Sequence, residues 1–164
     1  MSRYRPPRSA GTPLITAEGA QRLRDELHEL WSVRRPAVTQ SVSEAAAQGD
    51  RSENAEYTYG KKMLREIDSR VRFLRKRLEN LKVIDQPPAD TDKIFFSATV
   101  ELEDEDGEPL TVRIVGPDEI DPKRQHISID SPMARALLGK RVDDEVVVRA
   151  PAGDKAYWVT GIKY

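Results

Sequence analysis

Gln48-Gly49-Asp50-Arg51-Ser52-Glu53-Asn54-Ala55 (QGDRSENA) separates two long runs of apolar residues, and how this break is read decides the fold. Upstream, Ala20, Leu23, Leu27 and Leu30 recur at alternating spacings of three and four, and the same register runs on through Arg34, Ala37 and Ser41. Downstream the repeat is cleaner: Tyr57, Gly60, Leu64, Ile67, Val71, Leu74, Leu78 and Leu81 occupy the seam of a heptad helix. Two such helices joined by a short Gly-containing break predict an antiparallel coiled-coil hairpin with QGDRSENA at its free end. At 1.5 Å per residue, the stretch from Ser52 to Leu81 makes a rod on the order of 45 Å long. Thr16 is placed to cap the first helix, with Glu18 in its first turn. Pro36 falls inside the pattern and should kink the helix or weaken one turn. The leucines are seam residues and carry no chemistry.

The break itself has two readings. Asp50-x-x-Glu53 fits a capping box, Asp50 accepting from the Glu53 amide while Glu53 reaches back. The same two residues bring a pair of carboxylates to an exposed apex, close in sequence to Glu44 and Glu56. Mg²⁺ takes oxygen ligands, with one or two protein carboxylates completed by water and phosphate. Such a tip would bind the ion well only if a partner supplied further ligands.

Charge is unevenly divided. Residues 1–85 hold 17 Lys/Arg against 12 Asp/Glu, whereas residues 86–164 hold 10 against 16. The basic excess concentrates on the second helix: Lys61, Lys62, Arg65, Arg70, Arg72, Arg75, Lys76 and Arg77 face only Glu66 and Asp68. Either this is a solvated coiled-coil exterior, or it meets the phosphates of a nucleic acid. The basic segment of residues 1–13, with Arg3, Arg5 and Arg8 among Pro, Ser and Gly, reads as a disordered tail.

Beyond Gln86-Pro87-Pro88 the period changes to two. Strands are expected over 94–102 and 110–115 around the acidic turn at Asp106-Gly107, then over 126–130, 142–150 and 156–163. Ser131-Pro132 starts a short helix over 133–138, and Gly139 ends it. The fold class is α+β: a helical hairpin (residues 14–84), a linker (85–90) and a compact antiparallel sheet domain with one short helix (91–164). The chain has no cysteine, which excludes disulfide scaffolds and Cys-based zinc sites, and its two histidines, His28 and His126, have no ligand spacing. No Ser-His-Asp arrangement or P-loop can be assembled, so a self-sufficient enzyme is not expected. No apolar run approaches the roughly 20 residues that span a bilayer, and no signal-peptide core opens the chain; a cytoplasmic protein with no membrane contact is expected.

Four segments together carry a family resemblance: TPLIT (12–16), GDRSENAEY (49–57), KKMLREIDSRVRFL (61–74) and ISIDSPMARALLGK (127–140). With these the chain resembles the bacterial Gre transcript-cleavage factors over residues 12–164. The Arg51-Ser52 pair and the dense Lys/Arg run make it most similar to the GreB type. The resemblance implies an accessory factor, monomeric when free, whose coiled coil enters the secondary channel of RNA polymerase. Asp50 and Glu53 would there help hold a second Mg²⁺ in the polymerase's own active centre, so that backtracked nascent RNA is cut. It further implies that Lys61, Lys62 and Arg65 steer the RNA 3′ segment. The C-terminal domain would be an FKBP-like module that docks at the channel rim through Asp130, Ser131 and Pro132. Two rival readings keep less of this: a Gre-like channel regulator without cleavage activity, or a coiled-coil adaptor or chaperone whose tip only caps a helix.

Overall fold

The computed structural model describes residues 10–49 and 53–164. The chain divides into two compact units, Ala20–Leu81 and a sheet unit made of Lys82–Tyr164 with the segment up to Gly19.

The first unit is the hairpin. α1 (Ala17–His28) runs into a π-helical segment, Glu29–Arg34, and then α2 (Arg35–Ala47); α3 (Ala55–Asn80) returns along α2. The π segment is how the helix accommodates Pro36. Proline has no N–H, and its ring crowds the carbonyl four residues back. Widening the preceding turn relieves that crowding, and the Arg35 N–H donates to the Leu30 carbonyl, an i→i−5 bond. A wide turn inserts one residue into the helical count, so the inward register beyond it advances by one. Arg34, Ala37 and Ser41, expected at the seam, are exposed; Val38, Val42 and Ala45 turn inward instead. On α3 the heptad reading holds: Gly60, Ile67, Val71 and Leu74 are buried, with Tyr57, Leu64 and Leu78 half-buried. Val42 packs directly on Gly60, where a Cβ would lie 2.5 Å from Val42 Cγ2, so glycine sets the distance between the two helices at this level. Arg35 ties the helices at the outer edge, its Nε 2.7 Å from Asp68. That hydrogen bond holds the Asp68 carboxyl below the usual carboxylate range. Both groups are partly exposed, so solvent screens the pair and its contribution to stability is small.

The second unit contains two sheets. β1 (Leu14–Thr16) and β2 (Lys82–Ile84) form a parallel pair. β3 (Thr99–Asp104), β4 (Pro109–Val115), β5 (His126–Ser128), β6 (Glu145–Ala150) and β7 (Gly153–Lys163) form a five-stranded sheet in the order β5-β4-β3-β7-β6. Most neighbours are antiparallel, as expected, but β4 and β5 run parallel. Their connection, residues 116–125, crosses over through two 3₁₀ turns instead of a tight hairpin. α4 (Pro132–Leu137) covers one face, and Ile94, Val100, Leu102, Ile114, Leu137 and Val159 are all but inaccessible at the core. The strand expected from residue 94 begins at Thr99. Ser97 has φ +74°, and its N–H reaches the Ile114 carbonyl, which turns the chain before the ladder starts. Asp104 closes the β3–β4 turn, its Oδ1 accepting from the amides of Asp106 and Glu108, with Gly107 at φ +76°. That acidic run is a hairpin turn.

Two expected boundaries move. Residues 14–16 and 82–84, read as ends of the hairpin, pair with each other and belong to the sheet unit. Residues 10–13, read as part of a disordered tail, are hydrogen-bonded: Thr12 to Asp130, and the Pro13 carbonyl to the Lys82 amide. Residues 1–9 of that tail lie outside the described residues.

Candidate functional site: hairpin tip, cationic face and docking turn

At the end of the hairpin Asn54 is the N-cap of α3. Its Oδ1 accepts from the Tyr57 amide at 3.1 Å, and its Nδ2 donates to the Ala45 carbonyl at the end of α2, 2.8 Å away. One side chain therefore starts one helix and closes the other. This corrects the capping box expected at Asp50 and Glu53. The helix begins at Ala55, so neither residue is its N-cap. Asp50 lies outside the described residues; Glu53 is an exposed turn residue just before the cap, with no hydrogen bond or ion pair among the described residues. Among the described residues its carboxylate takes no part in capping α3. Among the described residues no group of three acidic or His side chains could hold a metal ion, so Glu53 brings hard oxygen donors but only a fraction of a ligand set.

The cationic face sorts itself once partners are counted. Arg70 is held by Glu26, with Nε and Nη2 at 2.8 and 2.9 Å from its two carboxylate oxygens. Arg77 is buried. The other six, Lys61, Lys62, Arg65, Arg72, Arg75 and Lys76, are exposed and form no ion pair among the described residues. Lys61, Arg65, Arg72 and Lys76 follow one another at steps of four, seven and four, which keeps them on one stripe of the helix. Asp68, the acid nearest that stripe, is occupied by Arg35. Lys61, Lys62 and Arg65 are thus brought together at the tip-proximal end of α3.

In the other unit, Asp130, Ser131 and Pro132 form the turn into α4. Ser131 Oγ accepts from the Ala134 amide at 3.2 Å and Pro132 occupies the first turn, as read from sequence. Asp130 is not a free surface carboxylate: Oδ2 accepts from the Thr12 amide at 2.9 Å and Oδ1 from the Thr12 hydroxyl. The Thr12 hydroxyl and then its amide hold the Asp130 carboxyl below its ordinary range. Sequence reasoning missed Thr12, because its partner stands 118 residues away. The sign of the pH dependence follows. A depressed carboxylate stabilises the fold above its unfolded value, near 4, and that contribution disappears as pH falls through the lower folded value. Wild-type protein should exceed Asp130→Asn in melting temperature at neutral pH, and the gap should close below about pH 4. Thermal melts across an acid series check this, and a gap independent of pH would exclude the carboxylate's charge as its source.

The fold and the site define a protein with a helical hairpin whose exposed cations line α3 and whose exposed Glu53 precedes that helix. Comparison with known proteins gives the family. Residues 13–83 match the family model "Transcription elongation factor, N-terminal", and residues 89–164 match "Transcription elongation factor, GreA/GreB, C-term". The chain is 73% identical over 164 residues to transcription elongation factor GreB of Pseudomonas aeruginosa, covering 100% of this chain and 98% of that one. It is 62% identical over 150 residues to the GreB of Yersinia pestis, covering 92% and 88%. Among solved structures, GreA factor homolog 1 of Thermus thermophilus is 28% identical across 92% of this chain and 98% of that one, with a TM-score of 0.41. The chain belongs to the GreA/GreB family of transcription elongation factors and is of the GreB type.

Proposed function

We propose that this elongation factor binds bacterial RNA polymerase in the cytoplasm, places its helical hairpin in the secondary channel, and stimulates the polymerase's own endonucleolytic cleavage of backtracked nascent RNA. Arrested complexes are thereby returned to elongation. The observation that supports this reading is the division of labour at the tip: Asn54 does the capping, and the Glu53 carboxylate is exposed, with no partner among the described residues.

Asp50 and Glu53 would hold Mg²⁺ jointly with carboxylates of the polymerase. Carboxylate oxygens suit a hard cation, and two carboxylates fall short of a full octahedral ligand set, so polymerase groups and water would supply the rest. A metal bound there supplies charge neutralisation and an activated water for phosphodiester hydrolysis. The chain's own residues position and steer. Lys61, Lys62 and Arg65 offer unpaired cations beside the tip, where the phosphates of the extruded RNA 3′ segment would pass. Asp130, Ser131 and Pro132 form a rigid turn suited to docking at the channel rim, the turn fixed by Thr12 and by the Ser131 cap. The free protein is monomeric on this reading.

The test is a backtracked polymerase complex with labelled nascent RNA, incubated with and without the protein. Faster release of a 3′ fragment is expected, and no acceleration at saturating protein would defeat the proposal. Changing Lys61, Lys62 and Arg65 together to Ala should reduce cleavage most on far-backtracked RNA. Losing three phosphate contacts should also lower the salt slope of RNA contact by about two units. Cleavage and RNA crosslinking that survive the triple change would remove the steering role.

A further inference from the structure

Asn54 does more at the tip than cap a helix. The carbonyl of Ala45, in the last turn of α2, already accepts from the Gln48 amide at 3.2 Å. A carbonyl oxygen has two lone pairs, and Asn54 Nδ2 donates to the same oxygen at 2.8 Å. Ala45 therefore has a partner with or without Asn54, so the bond does not rescue a stranded acceptor. What it adds is a tie from the start of α3 to the end of α2. At its other end the Tyr57 amide donates to Asn54 Oδ1 at 3.1 Å, which holds the side chain in the first turn of α3. A planar amide bonded at both its oxygen and its nitrogen is fixed in rotamer and in flip.

The other contacts between these helices do not duplicate this tie. The Arg35–Asp68 pair joins α2 to α3 fourteen residues beyond Asn54, roughly 21 Å along the axis. Val42 packs on Gly60 nearer the tip, but apolar packing is non-directional, whereas the Asn54 bonds have preferred angles. Glu53 immediately precedes Asn54 in the chain. With no hydrogen bond or ion pair of its own among the described residues, its carboxylate takes its placement from the neighbouring backbone. That backbone is anchored to both helices through one side chain.

We propose that Asn54 is a positioning residue for the tip chemistry: by bridging α2 and α3 it fixes the backbone from which Glu53 presents its carboxylate. This rests on the reading that the tip carboxylates serve transcript cleavage. Capping and bridging can be separated by substitution, because Ser, Asp and Asn are about equally good N-caps. Asn54→Ser keeps an acceptor for the Tyr57 amide, while its hydroxyl ends one bond short of the Ala45 carbonyl. Asn54→Asp keeps the shape and the cap but faces that carbonyl with an oxygen that cannot donate.

Both variants should melt within about 2–4 °C of wild type. Each should nevertheless lower the maximal rate of RNA cleavage in backtracked polymerase complexes by about 10–100-fold, the loss typical when a partner that orients a metal ligand is removed. The protein concentration giving half-maximal stimulation should stay the same. The Mg²⁺ concentration giving half-maximal stimulation should rise, which a loss of stability alone would not produce. Asn54→Asp also adds a carboxylate beside Glu53, so a tip that worked by acidic charge alone would gain from it. The free protein supplies a readout apart from activity. In ¹⁵N-labelled wild type the Asn54 Nδ2 protons should exchange more slowly than those of a solvated asparagine, and the Tyr57 amide should stay protected in Asn54→Ser.

Undiminished cleavage by Asn54→Ser, or exchange of the Asn54 Nδ2 protons at the solvated rate, would overturn the proposal. So would a loss that appears only as weaker polymerase binding, since Asn54 would then be a docking element. The two readings fail in distinguishable ways. Wild-type protein that gives no stimulation defeats the cleavage role and this assignment with it. Wild-type stimulation matched by Asn54→Ser leaves the cleavage role standing and removes only the positioning role.

Discussion

Changing Asp50 to Asn and Glu53 to Gln together is expected to abolish stimulation of RNA cleavage while the protein still folds and still binds polymerase. The size of the loss follows from what the carboxylates would contribute. Removing one group that stabilises transition-state charge costs about 10²–10³ in rate, so cleavage should fall toward the polymerase's unassisted level. Stability should barely move. Asn54 holds the helix start through the Tyr57 amide and the end of α2 through the Ala45 carbonyl, and neither bond uses Glu53. A carboxylate at a helix N-terminus, where Glu53 stands, contributes about 0.3–1 kcal/mol when exposed. In a chain of this size 1 kcal/mol shifts the melting temperature by about 2–4 °C, which bounds the expected change. The informative measurement pairs cleavage in backtracked complexes with competition for polymerase against the wild-type protein. Undiminished cleavage by the folded double variant would show that the tip carboxylates have no chemical role. Loss of competition together with cleavage would make them a docking element instead.

Much of the architecture is legible in the sequence because it rests on local patterns. The heptad of α3, the Thr16 and Ser131 caps and the Asp106-Gly107 turn each follow from residues within a few positions of one another. The departures have physical reasons. Pro36 announces a disturbance, but a kink and a widened turn relieve it equally well. The choice was settled by packing: the extra residue turns Val38 and Val42 inward in place of Ala37 and Ser41. Asp50 and Asn54 are both good N-cap residues. Asn54 wins because its amide donates to the Ala45 carbonyl while its oxygen caps α3, whereas a carboxylate has no donor to offer. The six exposed cations are visible as a count, but their sorting is not. Arg77 is buried, while Arg70 is neutralised and Arg75 gains Trp31 as its stacking platform through residues more than 40 positions away. Contacts of that span leave no periodic trace, and Thr12–Asp130 is the same case in the sheet unit.

The largest stability effect is expected from such a long-range contact, at Glu119. This carboxylate is 6% exposed; its Oε2 accepts from the Thr16 amide at 3.0 Å and the Gly116 amide at 2.9 Å, while Oε1 accepts from the Thr16 hydroxyl. Thr16 Oγ1 in turn accepts from the Gly19 amide at 3.1 Å and so caps α1. The carboxylate fills the space beside Gly19 so closely that a Cβ there would overlap it. Glu119→Ala removes the acceptor and strands two buried backbone donors, each worth about 1–3 kcal/mol when left unmade. Water entering the vacated space returns part of that, and a net loss of about 3 kcal/mol is expected. The melting temperature should therefore drop by roughly 6–12 °C. Glu119→Gln keeps the shape and one acceptor oxygen but turns the other acceptor into an N–H₂ donor, and should fall between the two. Near-UV circular dichroism follows the loss in the unit that contains Glu119, while the far-UV helical signal follows the hairpin. A Glu119→Ala melt matching wild type would mean that Thr16 and Gly116 find other acceptors at no cost, and that α1 does not depend on this carboxylate for its start.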